Sequence, residues 1–271
     1  MSASETVTKN GHPKVLLEVN QLTRVFGHGV GAVTAVNAAT FSVAERQVVA
    51  IVGESGSGKS TMARMLLRLL EPTSGSFSLD GMDATKLKGR QLKKYWQQVQ
   101  AVFQDPFSSF NQFFPIRRLL DNATGVLGKG MSHEQRKQRM EEALSHVGLT
   151  LEVLDKYPHT LSGGQRQRIM MARALMLRPR LLIADEATSM LDASVRANIL
   201  NLLGDIRRDL GMTVLFVTHD LGQASYVSDY MLVMYKGNLV EQGLTEDVLW
   251  NPKDDYTKRL LADVPKLHAT A

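Results

Sequence analysis

The chain has 271 residues, of which 44% are hydrophobic and 22% are charged, a balance typical of one large globular domain or of a domain with a small insertion. Its formal net charge of +5 is modest for this length, and a solvated surface of mixed charges explains it better than an anionic partner such as nucleic acid does. The sequence contains no cysteine, which excludes disulfides, thiol catalysis and any cysteine-bound zinc or iron–sulfur cluster.

The N-terminal segment contains no apolar stretch of the kind that a signal peptide needs. We expect residues 1–14 to form a disordered leader and residues 15–271 to form one domain. No apolar run approaches the roughly 18 residues that a membrane-spanning helix requires. Any membrane role of the chain is therefore expected to depend on a partner protein.

The first elements predicted after the leader are strands. One strand is expected from Val15 to Leu22 and a second from Val33 to Val43, paired antiparallel across a glycine-rich loop. The continuous apolar run Val48–Val52 is typical of a strand that is buried on both faces of a parallel sheet. A glycine-rich turn follows, and we expect a helix from Thr61 to Leu70 that ends before Pro72.

Helical patterns replace strand patterns between about residues 107 and 160. Ser132 and Gln135 form a capping-box pattern, an apolar stripe with helical spacing follows, and Gly148 fits the end of that helix. We interpret this region as a helical subdomain inserted into an α/β core. Three alternations of helix and strand come next, which favours a mostly parallel sheet, and residues 245–271 are expected to form a C-terminal cap.

The glycine-rich turn matches the phosphate-loop pattern G-x-x-x-x-G-K-[ST] in full, after a strand of the buried type and before a helix. Glycines let backbone amides curl around phosphate oxygens, and the helix start adds a positive dipole end. Lys59 is predicted to neutralise the β- and γ-phosphates, and the Ser60 hydroxyl to bind Mg²⁺. A glycine-rich surface turn is the alternative, which the flanking strand and helix disfavour. The predicted phosphate-site residues are Gly53, Glu54, Ser55, Gly56, Ser57, Gly58, Lys59, Ser60 and Thr61.

Two acidic residues end the predicted strand that begins at Leu181. Asp185 is expected to hold Mg²⁺ directly or through water, and Glu186 is placed to act as the general base toward an attacking water. An isolated acidic pair after a strand more often caps a helix. The presence of a phosphate loop in the same chain reverses that preference.

The segment Leu161–Gln165 opens a predicted helix with Ser162 as its N-cap, and its two glycines leave backbone amides open to an anion. Taken alone, this pattern indicates a capped helix start and no more. Its letters, LSGGQ, resemble the signature motif of ABC ATPases. The resemblance implies that Ser162, Gly163, Gly164 and Gln165 reach across a head-to-tail dimer to the γ-phosphate that is bound in the partner's phosphate loop.

Further positions follow the order of motifs in that family. The resemblance implies that Gln104 contacts Mg²⁺ and senses a membrane subunit, and that Asp192 belongs to the D-loop. It also implies that His219 holds the γ-phosphate and that Phe26 stacks on adenine. An isolated histidine after a strand is more often a structural donor, and an isolated phenylalanine usually belongs to the core. The implied fold is a P-loop NTPase core with a mostly parallel sheet, an antiparallel β subdomain and a helical insertion.

Two segments, residues 105–111 and Asn251–Thr257, resemble the ATPases of oligopeptide and dipeptide importers. The resemblance implies a subunit that binds ATP and Mg²⁺ and energises the uptake of peptides or a related solute. Oligosaccharides and nickel are alternative cargoes, and a soluble ATPase acting on nucleic acid is a less favoured alternative function. The implied partners are two membrane permease subunits, a second ATP-binding subunit (the same or different), and indirectly an extracytoplasmic solute-binding protein. The implied place is the cytoplasmic face of the cell membrane, with no nucleic-acid partner.

The chain departs from this family at two turns. Members commonly have proline where this chain has Ala187, and glycine where it has Arg46, although neither change removes a reacting group. Phe113, Phe114 and Ile116 are candidates for the permease contact, with the core of the helical insertion as an equally weighted alternative.

Overall fold

The computed structural model describes residues 14–105, 110–125, 131–189 and 191–263. The strands are β1 (Val15–Phe26), β2 (Val33–Ala44), β3 (Val48–Val52), β4 (Ser74–Leu79), β5 (Met82–Asp83), β6 (Val99–Phe103), β7 (Leu181–Asp185), β8 (Thr213–Val217), β9 (Tyr230–Tyr235) and β10 (Asn238–Leu244). The helices are α1 (Lys59–Leu66), α2 (Gly89–Gln98), α3 (Ile116–Gly125), α4 (His133–His146), α5 (Gly163–Leu175), α6 (Ala193–Leu210), α7 (Leu221–Val227), α8 (Thr245–Trp250) and α9 (Asp255–Ala262). Short 3-10 helices cover Gly29–Gly31, Leu151–Asp155 and Pro158–Thr160.

The chain divides into two compact units. The first comprises the described residues up to Lys86 and from Leu215 onward, and the second comprises the described residues of Leu87–Val214. The predicted helical subdomain at about residues 107–160 and the predicted cap at about residues 245–271 remain predictions. The predicted leader lies almost entirely outside the described residues.

The antiparallel sheet of the first unit has the strand order β2-β1-β4-β5. The predicted antiparallel pairing of the first two strands is confirmed, with Val19 opposite Phe41 in the register. Strand β1 continues past its predicted end at Leu22 because it bulges at Gln21, where φ is +46°, and then resumes pairing up to Phe26. This extension carries Phe26 to the end of the sheet.

The second sheet contributes the parallel pair β3 and β9 to the first unit. Strand β3 lies between β9 and β8 in this sheet. All five residues of β3 are buried, as the continuous apolar run predicted. Helices α7, α8 and α9 contribute to a core cluster on this sheet that includes Val52, Leu221, Val233, Val248 and Tyr256. The carboxyl end of β3 is thereby held firmly where the phosphate loop begins.

Parallel strands also organise the second unit, where β6 and β7 pair with Phe103 opposite Asp185. The predicted capping box at the start of α4 is confirmed, because the Ser132 Oγ accepts from the Gln135 N–H and the Gln135 side chain accepts from the Ser132 N–H. The stripe residues Met140, Ala143 and Leu144 are buried, as their spacing predicted. The predicted α/β fold, with a mostly parallel sheet and a separate antiparallel sheet, is confirmed.

The end of one helix differs from what the sequence predicted, and one turn has a left-handed conformation that the sequence did not predict. Helix α1 ends at Leu66 and not at Leu70, because Arg68 adopts a φ of +57° and the amides of Leu69 and Leu70 turn back to the Arg64 carbonyl. Arg46 lies in the turn between β2 and β3 with a φ of +60°. This left-handed conformation explains why glycine suits that turn better than arginine does.

Among the residues that the structure describes, no helix has the length and apolar character needed to cross a membrane.

Candidate nucleotide-binding site

The predicted phosphate loop runs from the end of β3 to the start of α1. An added Cβ at Gly53 would lie 2.1 Å from the Met234 carbonyl oxygen, and one at Gly58 would lie 2.2 Å from the Ala35 carbonyl oxygen. Both glycines also have positive φ, +146° and +105°. They are therefore required for two reasons, the backbone conformation and the close approach of β9 and β2.

Lys59 is almost fully buried, with 4% of its surface exposed. Its Nζ donates to the carbonyl oxygens of Gly53 at 2.7 Å and Glu54 at 2.8 Å, and more weakly to the Ser57 Oγ at 3.4 Å. These contacts compensate for the burial of the ammonium group. A phosphate oxygen offers the same Nζ an anionic acceptor, which forms a stronger hydrogen bond than a neutral carbonyl does.

Two contacts from outside the motif hold the loop. The Gly237 N–H donates to the Ser57 carbonyl at 3.0 Å, from the turn between β9 and β10. The Glu54 N–H donates at 3.0 Å to the hydroxyl of Tyr256, which lies in α9. Neither residue has a role that is predictable from the sequence, although Tyr256 lies in a segment that resembles importer ATPases.

Phe26, the predicted adenine platform, lies at the last position of β1 and is 40% exposed. The Arg24 guanidinium carbon lies 4.7 Å from the centroid of the Phe26 ring. The same guanidinium donates to the Glu71 carbonyl at 2.8 Å, which fixes it over the ring. A base can therefore stack only on the opposite face, against a ring that already takes part in a cation–π pair.

His219 follows β8 and is exposed. The preceding residue, Thr218, donates its N–H to the Ile51 carbonyl at 3.1 Å, which places this end of β8 beside the end of β3. The following residue, Asp220, caps α7 by accepting from the Gln223 N–H at 3.0 Å. His219 is thus held between a buried strand and a capped helix, at the end of the sheet where the phosphate loop begins.

Gln104, Asp185 and Glu186 meet at the ends of two neighbouring strands in the second unit. The register pairs Phe103 with Asp185, so Gln104 and Glu186 each follow directly after that pair. Asp185 is 5% exposed, whereas Gln104 is exposed. Glu186 has a φ of +50°, and its carbonyl accepts from both the N–H and the Oγ of Ser189.

This geometry rules out the alternative in which the acidic pair caps a helix. The next helix, α6, begins at Ala193, and its N-cap is Asp192. Left-handed backbone is uncommon for glutamate, and such strain concentrates at functional sites. The two acids therefore lie where β7 ends and a constrained turn begins.

The segment Ser162–Gln165 forms a capping box at the start of α5. The Ser162 Oγ accepts from the Gln165 N–H at 3.2 Å, and the Gln165 Oε1 accepts from the Ser162 N–H at 3.0 Å. An added Cβ at Gly164 would lie 2.6 Å from the Val195 Cγ1 of α6. The first turn of α5 therefore lies close against the start of α6, and Asp192 is exposed at that start.

The predicted site residues fall into two groups. Phe26, the phosphate loop 53–61 and His219 belong to the first unit. Gln104, Ser162–Gln165, Asp185, Glu186 and Asp192 belong to the second.

A family model described as "ABC transporter" matches residues 36–189, more than half of the chain. The chain belongs to the ABC transporter family. It is 40% identical over 236 residues to the dipeptide transport ATP-binding protein DppF of Escherichia coli, covering 87% of this chain and 70% of that protein. It is 38% identical over 254 residues to the oligopeptide transport ATP-binding protein OppF of Streptococcus mutans, covering 93% of this chain and 82% of that protein.

A solved structure supports the same conclusion. The ATP-binding cassette MJ0796, in a dimeric post-hydrolysis state bound to ADP and Pi, matches with a TM-score of 0.76 and 28% identity, covering 85% of this chain and 99% of that one. The P-loop ATPase fold predicted from the sequence is therefore confirmed, and the chain is an ABC-type ATPase.

Proposed function

We propose that this chain is the ATP-hydrolysing subunit of an importer of peptides or a related solute, bound peripherally at the cytoplasmic face of the cell membrane. Relatives named for dipeptide and oligopeptide transport support this cargo class. Oligosaccharides and nickel remain alternative cargoes, and action on nucleic acid remains a less favoured function.

The observation that carries the proposal is the phosphate loop with its buried Lys59. Its Nζ rests on the carbonyls of Gly53 and Glu54, at the start of a helix whose first amides have no intrahelical partner. ATP would place its phosphates against the Lys59 ammonium and these amides, with residues Gly53 to Thr61 lining the site and adenine on the face of Phe26 opposite Arg24.

The residues that would hold Mg²⁺ in this proposal offer oxygen atoms, namely the Ser60 hydroxyl, the Gln104 amide oxygen and the Asp185 carboxylate. Hard oxygen ligands of this kind are what Mg²⁺ prefers. When bound, Mg²⁺ neutralises the charge that develops on the β- and γ-phosphate oxygens.

In the proposed reaction, Glu186 orients a water and accepts its proton as the oxygen attacks the γ-phosphorus. The bond from the γ-phosphorus to the ADP oxygen breaks, which yields ADP and inorganic phosphate. His219 stabilises the γ-phosphate. Each group acts mainly through its position and charge, so a small displacement has a large effect on the rate.

The signature residues Ser162, Gly163, Gly164 and Gln165 would complete the site of a second ATP-binding subunit in a head-to-tail dimer, with Asp192 beside them. The dimeric state of the cassette MJ0796 supports a dimer. The Ser162 Oγ accepts one bond from Gln165 and still has a proton to donate to a phosphate oxygen. The amides of Gly163 and Gly164 lie in the first helical turn, where they have no intrahelical acceptor.

Apolar residues in the second unit support a contact with the membrane permease subunits. Phe113 is 86% exposed and Phe114 is partly exposed, with the Arg118 guanidinium 3.8 Å from the centroid of the Phe114 ring. Ile116 is buried, so it belongs to the core of this region. Phe114 lines a groove together with Phe110, Pro115 and Leu119.

Purification of the chain from native membranes, with mass spectrometry of its partners, tests the proposal. We expect two permease subunits and an ATP-binding subunit, and ATP-dependent uptake of labelled di- or oligopeptides after reconstitution with the solute-binding protein. If an oligosaccharide or nickel is taken up and peptides are not, that solute replaces peptides as the proposed cargo. Recovery of nucleic acid without any membrane protein would contradict the importer.

A further inference from the structure

A buried tyrosine far from the phosphate loop in sequence makes direct contact with it. Tyr256 lies in α9 and is 5% exposed. Its hydroxyl accepts a hydrogen bond of 3.0 Å from the N–H of Glu54, the second residue of the loop, across a separation of 202 residues. This contact lies entirely within the first unit.

Both the ring and the backbone of Tyr256 are fixed. The ring stacks on Tyr235 with centroids 4.1 Å apart and planes 26° apart. The Asp254 side chain caps α9 by accepting from the Tyr256 N–H at 2.8 Å. The Glu241 carboxylate accepts from the N–H groups of Lys253 and Asp254, at 2.8 and 3.1 Å, which ties the preceding turn to β10.

Hydrogen bonds consequently hold both the N–H and the carbonyl of Glu54. Tyr256 binds its N–H, and the Lys59 Nζ binds its carbonyl at 2.8 Å. The carbonyl of Gly53, which belongs to the same peptide group as the Glu54 N–H, also accepts from Lys59 at 2.7 Å. A rotation of that peptide group would therefore move one of the two carbonyls on which the ammonium rests.

We propose that Tyr256 is a positioning residue that holds the Gly53–Glu54 peptide, and through it Lys59, in the orientation that receives the phosphates of ATP. This inference rests on the proposed role of the loop as the phosphate site. Burial raises the pKa of the Tyr256 phenol, so the group stays a neutral hydroxyl with lone pairs to offer the amide. The importer-like C-terminal segment thereby acquires a role in nucleotide binding.

The test compares Tyr256→Phe with Tyr235→Phe in the full chain. The first variant keeps the stacked ring and removes the acceptor, whereas the second keeps the ring pair and leaves the Glu54 contact in place. A fluorescent ATP analogue gives Kd, and amide hydrogen exchange followed by NMR reports on Glu54. Steady-state hydrolysis in the assembled transporter separates KM from kcat.

We expect Tyr256→Phe to weaken ATP binding about five- to tenfold and to raise KM similarly, with kcat within about twofold of wild type, since one net hydrogen bond is lost. Exchange of the Glu54 amide should accelerate about tenfold or more in Tyr256→Phe and stay unchanged in Tyr235→Phe.

Three outcomes overturn the inference: wild-type affinity in Tyr256→Phe, equal losses in both tyrosine variants, or an unprotected Glu54 amide in the wild-type protein. Lys59→Ala separates this inference from the function on which it rests. If Lys59→Ala binds ATP as tightly as the wild type, the phosphate site itself is wrong. If Lys59→Ala loses binding while Tyr256→Phe keeps it, only the positioning role fails.

Discussion

Replacement of Gly53 by alanine should damage the site far more than the same change at Gly56, although both glycines belong to one loop. The alanine Cβ at position 53 would lie 2.1 Å from the Met234 carbonyl oxygen, and φ there is +146°. Relief of that contact to about 3.3 Å needs a backbone shift of about 1.2 Å. Overpacking of this kind costs about 1–3 kcal/mol, and the strained φ costs about 1–3 kcal/mol more.

The matched control is Gly56→Ala. At Gly56 an added Cβ meets no atom of the described residues within 4 Å, and φ is +80°, so only the conformational cost of about 1–2 kcal/mol remains. Urea unfolding and titration with a fluorescent ATP analogue measure the two effects. We expect Gly53→Ala to lose about a hundredfold or more in affinity, because that loss corresponds to about 2.8 kcal/mol, which lies within the summed cost of overpacking and strain. Affinity losses that match within a factor of three would refute the reasoning.

Three further predictions address the other parts of the site. Glu186→Gln should bind ATP normally and release phosphate at least about a hundredfold more slowly, and wild-type turnover would remove Glu186 as the base. Gly164→Ala should reduce hydrolysis while ATP binding persists, because the alanine Cβ would lie 2.6 Å from the Val195 Cγ1. Val195→Ala in the same chain should restore the rate of hydrolysis, and a failed rescue would contradict the contact. Arg46→Gly should raise the free energy of unfolding by about 0.5–1 kcal/mol in urea titrations, since glycine adopts the φ of +60° without strain, and a loss of stability would oppose this account.

The parts of the site that were predictable from the sequence have short-range causes. The phosphate loop, the capping box at Ser132, the N-cap at Ser162 and the buried strand β3 each follow from residues a few positions apart. The sequence also shows that arginine occupies position 46, where members of the family commonly have glycine. The reason that glycine suits this turn is the positive φ at Arg46, which the residue type alone does not reveal.

The parts that were missed depend on distant partners or on weak patterns. Helix α2 is largely polar and buries only Tyr95, and the helical spacing of its few apolar residues, Leu92, Tyr95 and Trp96, was overlooked. Strand β4 is stabilised by its antiparallel pairing with β1, more than fifty residues earlier in the chain. Tyr256 could not be assigned a role, because its acceptor function depends on an amide 202 residues away.

Phosphate release from Mg-ATP by the assembled transporter, compared between complexes that carry the wild-type chain and complexes that carry Lys59→Ala, tests the central claim most directly. The Lys59 Nζ is buried on the loop carbonyls at 2.7 and 2.8 Å, so its removal takes away the cation that would meet the β- and γ-phosphates. We expect the wild type to release phosphate and Lys59→Ala to lose both nucleotide binding and turnover. Equal phosphate release by the two proteins would contradict ATP binding at this loop.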